Sequence, residues 1–466
     1  MRFGNPEWKH RIVGAAAVAG SALVGAVTAV AEEAAAAPPP TVDSGDTAWV
    51  LVSAALVLLM TPGLAFFYGG MVRAKNVLST LFQNFAALAV IGVIWGVVGY
   101  SLAFSPTNGG IIGGLGWAFL EGVGQTPNAD YSATIPHLAF MVFQGMFAVI
   151  APALITGAIA ERVNFKAWVA IMALWSLVVY APVAHWVWGV GGWLRNHGGL
   201  DFAGGLVVHI TAGFSALAAA LMLRRRIDFG KSEIRPYDAS FVILGTALLW
   251  FGWFGFNAGS ALGANGLAAH AFATTFFAAA AASVAWVVVD IFTKGKPSAV
   301  GGCIGAVVGL VAITPCAGFV PVWSSFLIGA GTSVISNFAS VFVRDKLKLD
   351  DSLDVFACHG IGGLVGALMV GVFASTKVNS AGANGLIYGE AKTFFAAIVG
   401  SGAVIVYSMV ATMAIIKIVG LFMTLRVSEE EEHAGLDATQ HGEAVNSMVQ
   451  ELGTSNRGAH QNRKAS

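Results

Sequence analysis

The chain is built from long apolar runs that are separated by short polar connections. Beyond Asp46 each run approaches the roughly 20 residues that an α-helix needs to cross a hydrocarbon core of about 30 Å. We count eleven such runs, and the pattern therefore predicts eleven transmembrane helices. Their approximate bounds are residues 47–69, 81–104, 137–159, 165–188, 204–223, 239–258, 266–292, 299–317, 321–343, 354–375 and 394–424.

Lysine and arginine are distributed unevenly over the connections between these runs. One alternate set of connections holds fifteen of them, whereas the other set holds only Arg195, Lys377 and Lys392. Cytoplasmic loops of membrane proteins carry an excess of these residues. The asymmetry predicts a multi-pass protein of the cytoplasmic (inner) membrane, with its N-terminus outside and its C-terminus inside.

Composition supports a polytopic membrane protein and narrows its chemistry. Charged residues make up 11 % of the 466 residues and hydrophobic residues 56 %, whereas a soluble domain carries roughly 25 % charged residues. Lys+Arg 25 balance Asp+Glu 25, so no nucleic acid partner is expected. Cys303, Cys316 and Cys358 lie singly in apolar runs, without metal-site spacing. We therefore expect no metal, no cofactor and no enzymatic activity.

Two terminal segments flank the membrane domain, which we assign to residues 41–426. Residues 1–37 have a basic start, an apolar stretch and an Ala-rich end, which is typical of a cleaved signal peptide. An uncleaved signal anchor is the alternative. Residues 427–466 are polar and are interpreted as a cytoplasmic tail, which is either a solvated end or a docking segment for a regulator.

An odd number of helices suggests two five-helix halves and one additional helix. A five-helix unit re-enters the membrane with reversed topology, so the repeat is an inverted one, as in many transporters. The fifth and tenth runs support the repeat, because each begins near an aspartate, Asp201 or Asp354, and contains a histidine, His209 or His359.

His209 and His359 are the ionisable side chains that stand out inside the apolar runs, where such groups are costly. If Asp201 and Asp354 cap their helices, the two histidines lie about 12 Å and about 7.5 Å from opposite faces. They therefore meet only if at least one cap is recessed in a vestibule, and we expect that it is. Two neutral imidazoles could then share a proton. Two unrelated histidines are the alternative, and a zinc pair lacks a third ligand.

Aromatic residues group with polar atoms near the predicted extracellular helix ends. Phe147, Trp188 and Ser260 fall there, on the third, fourth and sixth runs. Aromatic faces can hold a cation and a hydroxyl can accept a hydrogen bond from it. This combination favours a small ammonium ion over a metal ion. Ordinary packing or a membrane-interface belt is the alternative for each ring.

Five sequence segments together resemble the bacterial ammonium transporters of the Amt/Mep/Rh family. The resemblance extends from about residue 45 to about residue 445 and implies an all-α protein with eleven transmembrane helices, an inverted five-plus-five repeat and a homotrimeric assembly. The segments are Phe67 to Gly70, Gly157 to Arg162, Asp201 to Gly213, Gly252 to Ser260 and Asp354 to Gly360.

The resemblance also implies roles for individual residues. Phe147, Trp188 and Ser260 match the family's outer ammonium site, with Trp186 as the alternative to Trp188. Phe147 and Phe256 match its stacked phenylalanine gate. The family's pore residues and outer-site support are matched by His209, His359, Trp253 and Asp201.

These interpretations predict a transporter or channel for ammonium and methylammonium. The ion would bind outside, lose its proton and pass the twin histidines as ammonia. The tail resembles the segment that contacts a PII signal protein in many family members. A membrane ammonium sensor that signals through this tail is the alternative function.

Overall fold

The computed structural model describes residues 41–231, 234 and 236–445. They form a helical bundle with one small β-hairpin, whose two strands have two residues each. We number its long helices in chain order. They are α1 (Ser44–Met71), α2 (Ala74–Phe104), α3 (His137–Ile159), α4 (Phe165–Val187), α5 (Gly205–Met222), α6 (Ala239–Gly259), α7 (Gly266–Lys294), α8 (Ala299–Ile313), α9 (Val322–Lys346), α10 (Phe356–Phe373) and α11 (Lys392–Gly420). The predicted signal peptide, residues 1–37, lies outside the described residues.

Ten of these helices are long and apolar enough to cross a membrane, and α8 is the exception. The sequence predicts a span over 299–317, but α8 has 15 residues and ends at Ile313. Pro315 follows closely, and a proline lacks the amide that would continue the helical hydrogen bonds. The helix is therefore about 22 Å long, at 1.5 Å per residue. The predicted polytopic all-α fold is confirmed, with one short member.

The helices form two halves, α1–α5 and α6–α10, which pack together through their first and fifth members. Helix α1 lies along α6 and α5 lies against α10, while α11 packs beside α4, α5 and α10. The outward faces of the long helices expose large apolar side chains such as Val93, Phe292 and Val410. A lipid bilayer is the solvent that suits such a surface.

Helices α5 and α10 cross at a pair of glycines. A Cβ atom at Gly213 would lie 2.0 Å from the backbone nitrogen of Gly360, so a larger residue would force the helices apart. Each helix begins with a π-helical turn, Gly205–Ile210 in α5 and Phe356–Ile361 in α10. Such turns are frequent at functional sites. Both candidate pore histidines lie in these turns.

We call the end of the bundle where α1, α3 and α7 begin the outer end, and the opposite end the inner end. The connection between α2 and α3 is long and carries the β-hairpin of Thr107–Asn108 and Ile112–Gly113 at the outer end. The tail follows α11 at the inner end. Its short helix Glu429–Ala434 begins with a capping box at Ser428.

The described part of the tail packs against the inner helix ends. Glu432 is buried, and its carboxylate accepts a hydrogen bond from the amide of Ile227 at 2.8 Å. Asp437 is also buried and accepts from the amides of Leu78 and Ser79, at 3.1 Å and 2.8 Å. Residues 427–441 therefore contact the inner helix ends through buried side chains, while Glu429 and Glu430 remain exposed.

A buried ionic network joins four inner connections. The Glu161 carboxylate lies 2.9 Å from the guanidinium groups of both Arg73 and Arg226, and Arg226 also contacts Asp350 at 2.7 Å. Burial by itself would raise the pKa of Glu161, but Arg226 and Arg73 outweigh burial and lower this pKa to about 2. Glu161 is therefore charged at neutral pH and holds two arginines in place.

Candidate transport path

A cavity of about 240 Å³ opens at the outer end of the bundle. All three residues of the sequence-predicted outer site contribute to its wall, together with Asp201. Its lining residues are Phe104, Asp130, Tyr131, Phe140, Gln144, Phe147, Val187, Trp188, Arg195, Asp201, Phe202, Ser260, Leu262 and Phe319.

Phe147 and Trp188 form an aromatic corner of this cavity. Their ring centroids lie 6.0 Å apart and the rings are nearly perpendicular, at 85°. The indole N–H of Trp188 donates to the carbonyl of Asp201 at 2.9 Å, which fixes the ring orientation. Trp186 points elsewhere, because its indole N–H donates to Ile111 at 2.7 Å. Of the two tryptophans, the structure therefore brings Trp188 to the cavity.

Ser260 presents an acceptor to the same cavity. Its hydroxyl donates its hydrogen to the carbonyl of Phe256 at 2.8 Å. The oxygen lone pairs are then left to accept from another donor. An ion with N–H groups between the aromatic corner and this oxygen could therefore combine cation–π attraction with a hydrogen bond.

Asp201 lies at the base of the cavity and caps α5. Its carboxylate accepts hydrogen bonds from four consecutive amides, those of residues 204–207, at 2.6–3.2 Å. Gly204 has φ +118°, a conformation that L side chains rarely adopt. Burial raises the pKa of Asp201, and the four amides oppose this rise. Its carboxylate thus orders the helix start, and its carbonyl orients Trp188.

Phe147 and Phe256 separate the outer cavity from the interior. Their ring centroids lie 4.3 Å apart and the ring planes are tilted by 42°. Both side chains are buried. Phe147 lines the outer cavity and Phe256 lines the next space inward. The pair therefore lies between the outer cavity and the space beside the histidines.

His209 and His359 face each other below the phenylalanine pair. Their Nδ1 atoms lie 3.3 Å apart and the ring planes differ by 23°. One Nδ1 must donate and the other accept, so one Nε2 is an acceptor and the other a donor. The Nε2 of His209 is buried without a protein partner among the described residues. The pair therefore offers both kinds of hydrogen-bonding atom to a small molecule.

The space beside the histidines is narrow. A cavity of about 10 Å³ is lined by both histidines, Trp253, Phe256 and otherwise aliphatic side chains such as Leu154. This volume is near the minimum for a single water molecule. The Trp253 ring lies 5.5 Å from the His209 ring, and its indole N–H donates to Thr314 at 2.9 Å. The ring therefore presents carbon atoms to the path.

The cap of α10 is Asp351, and the assignment of Asp354 as this cap is wrong. The carboxylate of Asp351 accepts from the amide of Phe356 at 2.7 Å. Asp354 instead lies in the connecting turn with φ 55°. Asp351 lies five residues before Phe356, and its carboxylate reaches the Phe356 amide because the chain turns back between them at Asp354. The sequence spacing did not reveal this turn.

Gln144 is a wall residue that the sequence reasoning noted only as a polar neighbour of Phe143 and Phe147. It is 9 % exposed, lines the outer cavity, and its side-chain oxygen has no hydrogen-bond partner among the described residues. Its position three residues before Phe147 places it on the same helix face, and this spacing is the signal that could have identified it. Within the described ranges, no group of three potential ligands could hold a metal ion.

A helical membrane bundle with an outer aromatic cavity, a ring pair and paired histidines along one line defines a polytopic membrane transport protein. The family model of the Ammonium Transporter Family matches residues 48–446. The chain belongs to this family.

Individual relatives agree with that assignment. The chain is 51 % identical over 399 residues to an ammonium transporter of Bacillus subtilis, covering 86 % of this chain and 98 % of that protein. It is 44 % identical over 401 residues to ammonium transporter Amt1 of Archaeoglobus fulgidus, covering 86 % and 99 %. The crystal structure of Saccharomyces cerevisiae Mep2 is similar with a TM-score of 0.79 and 36 % identity, covering 84 % and 88 %.

Proposed function

We propose that this protein takes up ammonium across the cytoplasmic membrane by binding the ion outside, deprotonating it and conducting ammonia past the twin histidines. The observation that carries the proposal is the order of three features along one line. An aromatic cavity with a free hydroxyl acceptor lies outermost, the Phe147/Phe256 pair follows, and the 3.3 Å contact of His209 and His359 lies beneath it.

Each feature suits one step of this mechanism. The Phe147 and Trp188 rings and the Ser260 oxygen replace part of the water around an ammonium ion. Beyond the phenylalanine pair the path is narrow and mostly apolar, where a bare cation is strongly disfavoured. Loss of a proton to water in the outer cavity removes that cost, and the proton then follows separately. The imidazole nitrogens hydrogen-bond the neutral ammonia.

The assembly and placement of the protein belong to the same proposal. The distribution of Lys and Arg supports an outside N-terminus and an inside C-terminus. Residues 1–37 act as a signal peptide, and the protein forms a homotrimer with methylammonium as a second substrate. A PII-type signal protein binds at the tail, which packs on the inner helix ends through Glu432 and Asp437.

Transport is tested with purified protein in liposomes on a solid-supported membrane, with wild type beside His209→Ala. An ammonium jump should give either a transient current that empty liposomes lack or an internal alkalinisation that is faster than the one caused by ammonia diffusing into empty liposomes. Loss of the signal in the variant would support the histidine path, and an unchanged signal would contradict it. If wild type gives neither signal, the uptake proposal is wrong.

A membrane ammonium sensor is the second candidate function. The chain is similar to a protein described as a sensor Amt protein, with a TM-score of 0.78 and 30 % identity, covering 85 % of this chain and 98 % of that one. The liposome experiment separates the two functions when ammonium binding is also measured, by tryptophan fluorescence titration of the purified protein. Ammonium binding without either transport signal would favour the sensor.

Replacing Phe147 with alanine should weaken ammonium binding, because it removes one ring face. Cation–π contacts contribute roughly 0.5–2 kcal/mol, so the apparent KM for methylammonium should rise about 2- to 30-fold. Phe143→Ala is the matched control, since Phe143 is equally buried and packs against Phe147 but does not line the outer cavity. Equal KM values in wild type and Phe147→Ala would remove Phe147 from the site.

A further inference from the structure

Arg195 places a positive charge at the mouth of the outer cavity. It follows α4 and contributes to the cavity wall. Its Nη1 atom donates to the carbonyl of Trp188 at 2.7 Å, and the side chain is otherwise exposed. A guanidinium in this position is unexpected beside a site that binds a cation.

The carbonyl that Arg195 occupies belongs to Trp188, a residue of the cavity wall, and it is an electronegative group. Trp188 is the C-terminal cap of α4, and the last carbonyls of a helix carry partial negative charge because they lack helical partners. Such a group would attract an ammonium ion in the neighbouring cavity. The guanidinium takes the place of that ion at the carbonyl, so Arg195 acts as a cation tethered to the protein.

The charge of Arg195 is poorly neutralised locally. In the described part of the chain no carboxylate lies within 4.0 Å of its guanidinium. The carboxylate of Asp201 is engaged by four amides. Asp130 lines the same cavity but is exposed. Removing the positive charge of Arg195 therefore makes the electrostatic potential in the outer cavity more negative, and this holds with or without a contribution from the Asp130 carboxylate.

The charges of Arg195 and Asp130 both act on the hydroxyl of Tyr131 in the cavity wall. Burial raises the pKa of its phenol to about 12, Arg195 opposes the rise and Asp130 adds to it. Both charges therefore act on one hydroxyl of the cavity wall. Titration of Tyr131 plays no part in transport at neutral pH, because its phenol remains protonated.

We propose that Arg195 sets the affinity of the outer cavity by repelling monovalent cations and occupying the Trp188 carbonyl, so that its positive charge keeps ammonium binding weak. The inference rests on the proposed function, because it concerns the same outer site. An ion that the outer cavity binds weakly leaves this cavity readily and can enter the path. The residue tunes affinity electrostatically and takes no part in proton transfer.

The expected effect follows from the distance between charges. Across a cavity of this size, two unit charges about 8 Å apart at an effective dielectric constant of about 40–80 repel by an amount that changes affinity roughly two- to sixfold. Salt should abolish most of this effect, because the Debye length falls from about 30 Å at 0.01 M to about 3 Å at 1 M.

The test compares Arg195→Gln with wild type at low and high ionic strength. The apparent KM for methylammonium uptake into liposomes should fall about two- to sixfold in Arg195→Gln at about 10 mM salt, and the difference should largely disappear near 1 M. Arg195→Lys keeps the charge and should retain the wild-type KM within about twofold. Lys377→Gln removes an outer charge that does not line the cavity and should leave KM unchanged.

Two results would overturn the proposal. An unchanged KM in Arg195→Gln would show that the charge of Arg195 does not affect ammonium binding. A KM raised at both salt concentrations would show that Arg195 only holds Trp188 in place. Tryptophan fluorescence titration of the purified variants with ammonium measures affinity without transport. If wild type transports nothing but this titration shows the expected difference, the uptake proposal fails and the role of Arg195 stands.

Discussion

Replacing His209 with aspartate is expected to make the path conduct potassium as well as ammonium. The carboxylate would lie in the narrow space lined by Trp253 and His359. A fixed negative charge there stabilises a whole cation, so passage would no longer require loss of a proton. In the proposed mechanism wild type excludes potassium because potassium has no proton to lose. Potassium flux into liposomes, measured beside ammonium flux, checks this outcome.

His209→Asn separates the effect of charge from the effect of size. Asparagine and aspartate have nearly the same shape, and only aspartate carries a charge at neutral pH. Both variants open the space beside His359, but only the aspartate variant should pass potassium. Potassium flux that is equally low in both variants would contradict deprotonation as the basis of selectivity.

Replacing Glu161 with glutamine should destabilise the protein by about 3 kcal/mol at neutral pH. The side chain is fully buried between Arg73 and Arg226. Its neutralisation removes the charge that the two arginines share and leaves Arg73 only Asp228 and Arg226 only Asp350 as charged partners. The pKa lowered to about 2 corresponds to a similar energy. The thermal unfolding midpoint in detergent, followed by intrinsic fluorescence, should fall clearly in Glu161→Gln.

The pH dependence of this difference has a definite sign. A carboxylate whose pKa is lower in the folded state stabilises the fold above its unfolded pKa, and this contribution is lost as pH falls through the folded pKa. The deficit of Glu161→Gln should therefore be full above a pH of about 4.5 and shrink toward pH 2. Glu121→Gln, at an exposed outer position, should show no such deficit. A constant deficit at all pH values would mean that charge is not the cause.

The main features of the fold were predictable because each depends on local composition. A run of about twenty apolar residues has to form a helix in a bilayer, since lipid offers no partners for backbone amides. The predicted span for α8 was too long because hydropathy alone does not mark a helix end, although Pro315 is a signal for one in the sequence. Pro315 and the packing around it ended that helix.

The candidate site was predictable in its residues but not in its geometry. Phe147, Trp188, Ser260, His209 and His359 were all singled out from sequence. The 42° tilt of the Phe147/Phe256 pair depends on helices from different halves of the bundle. The choice of Asp351 as the α10 cap depends on a turn with φ 55° at Asp354. Neither the tilt of the two rings nor the backbone angle at Asp354 can be predicted from residue spacing.

The inner ionic network was missed because its members are far apart in the chain. The segment Gly157 to Arg162 supported the family resemblance, yet nothing in it showed that Glu161 contacts Arg73 and Arg226. The burial of Glu432 in the tail was equally hidden. Charged residues in connections look solvated in sequence, and only the meeting of several connections makes their burial favourable.

By itself the sequence determined the class of protein, the number of apolar runs and the residue types along the path. These features are readable because an apolar run and a family motif each lie within one continuous stretch of chain. Tertiary structure decided which of these residues meet. The close approach of Gly213 and Gly360 brings the two π-helical turns together, and thereby sets the contact of His209 with His359. That contact exists only where two helices cross without side chains between them, so packing and not composition creates it.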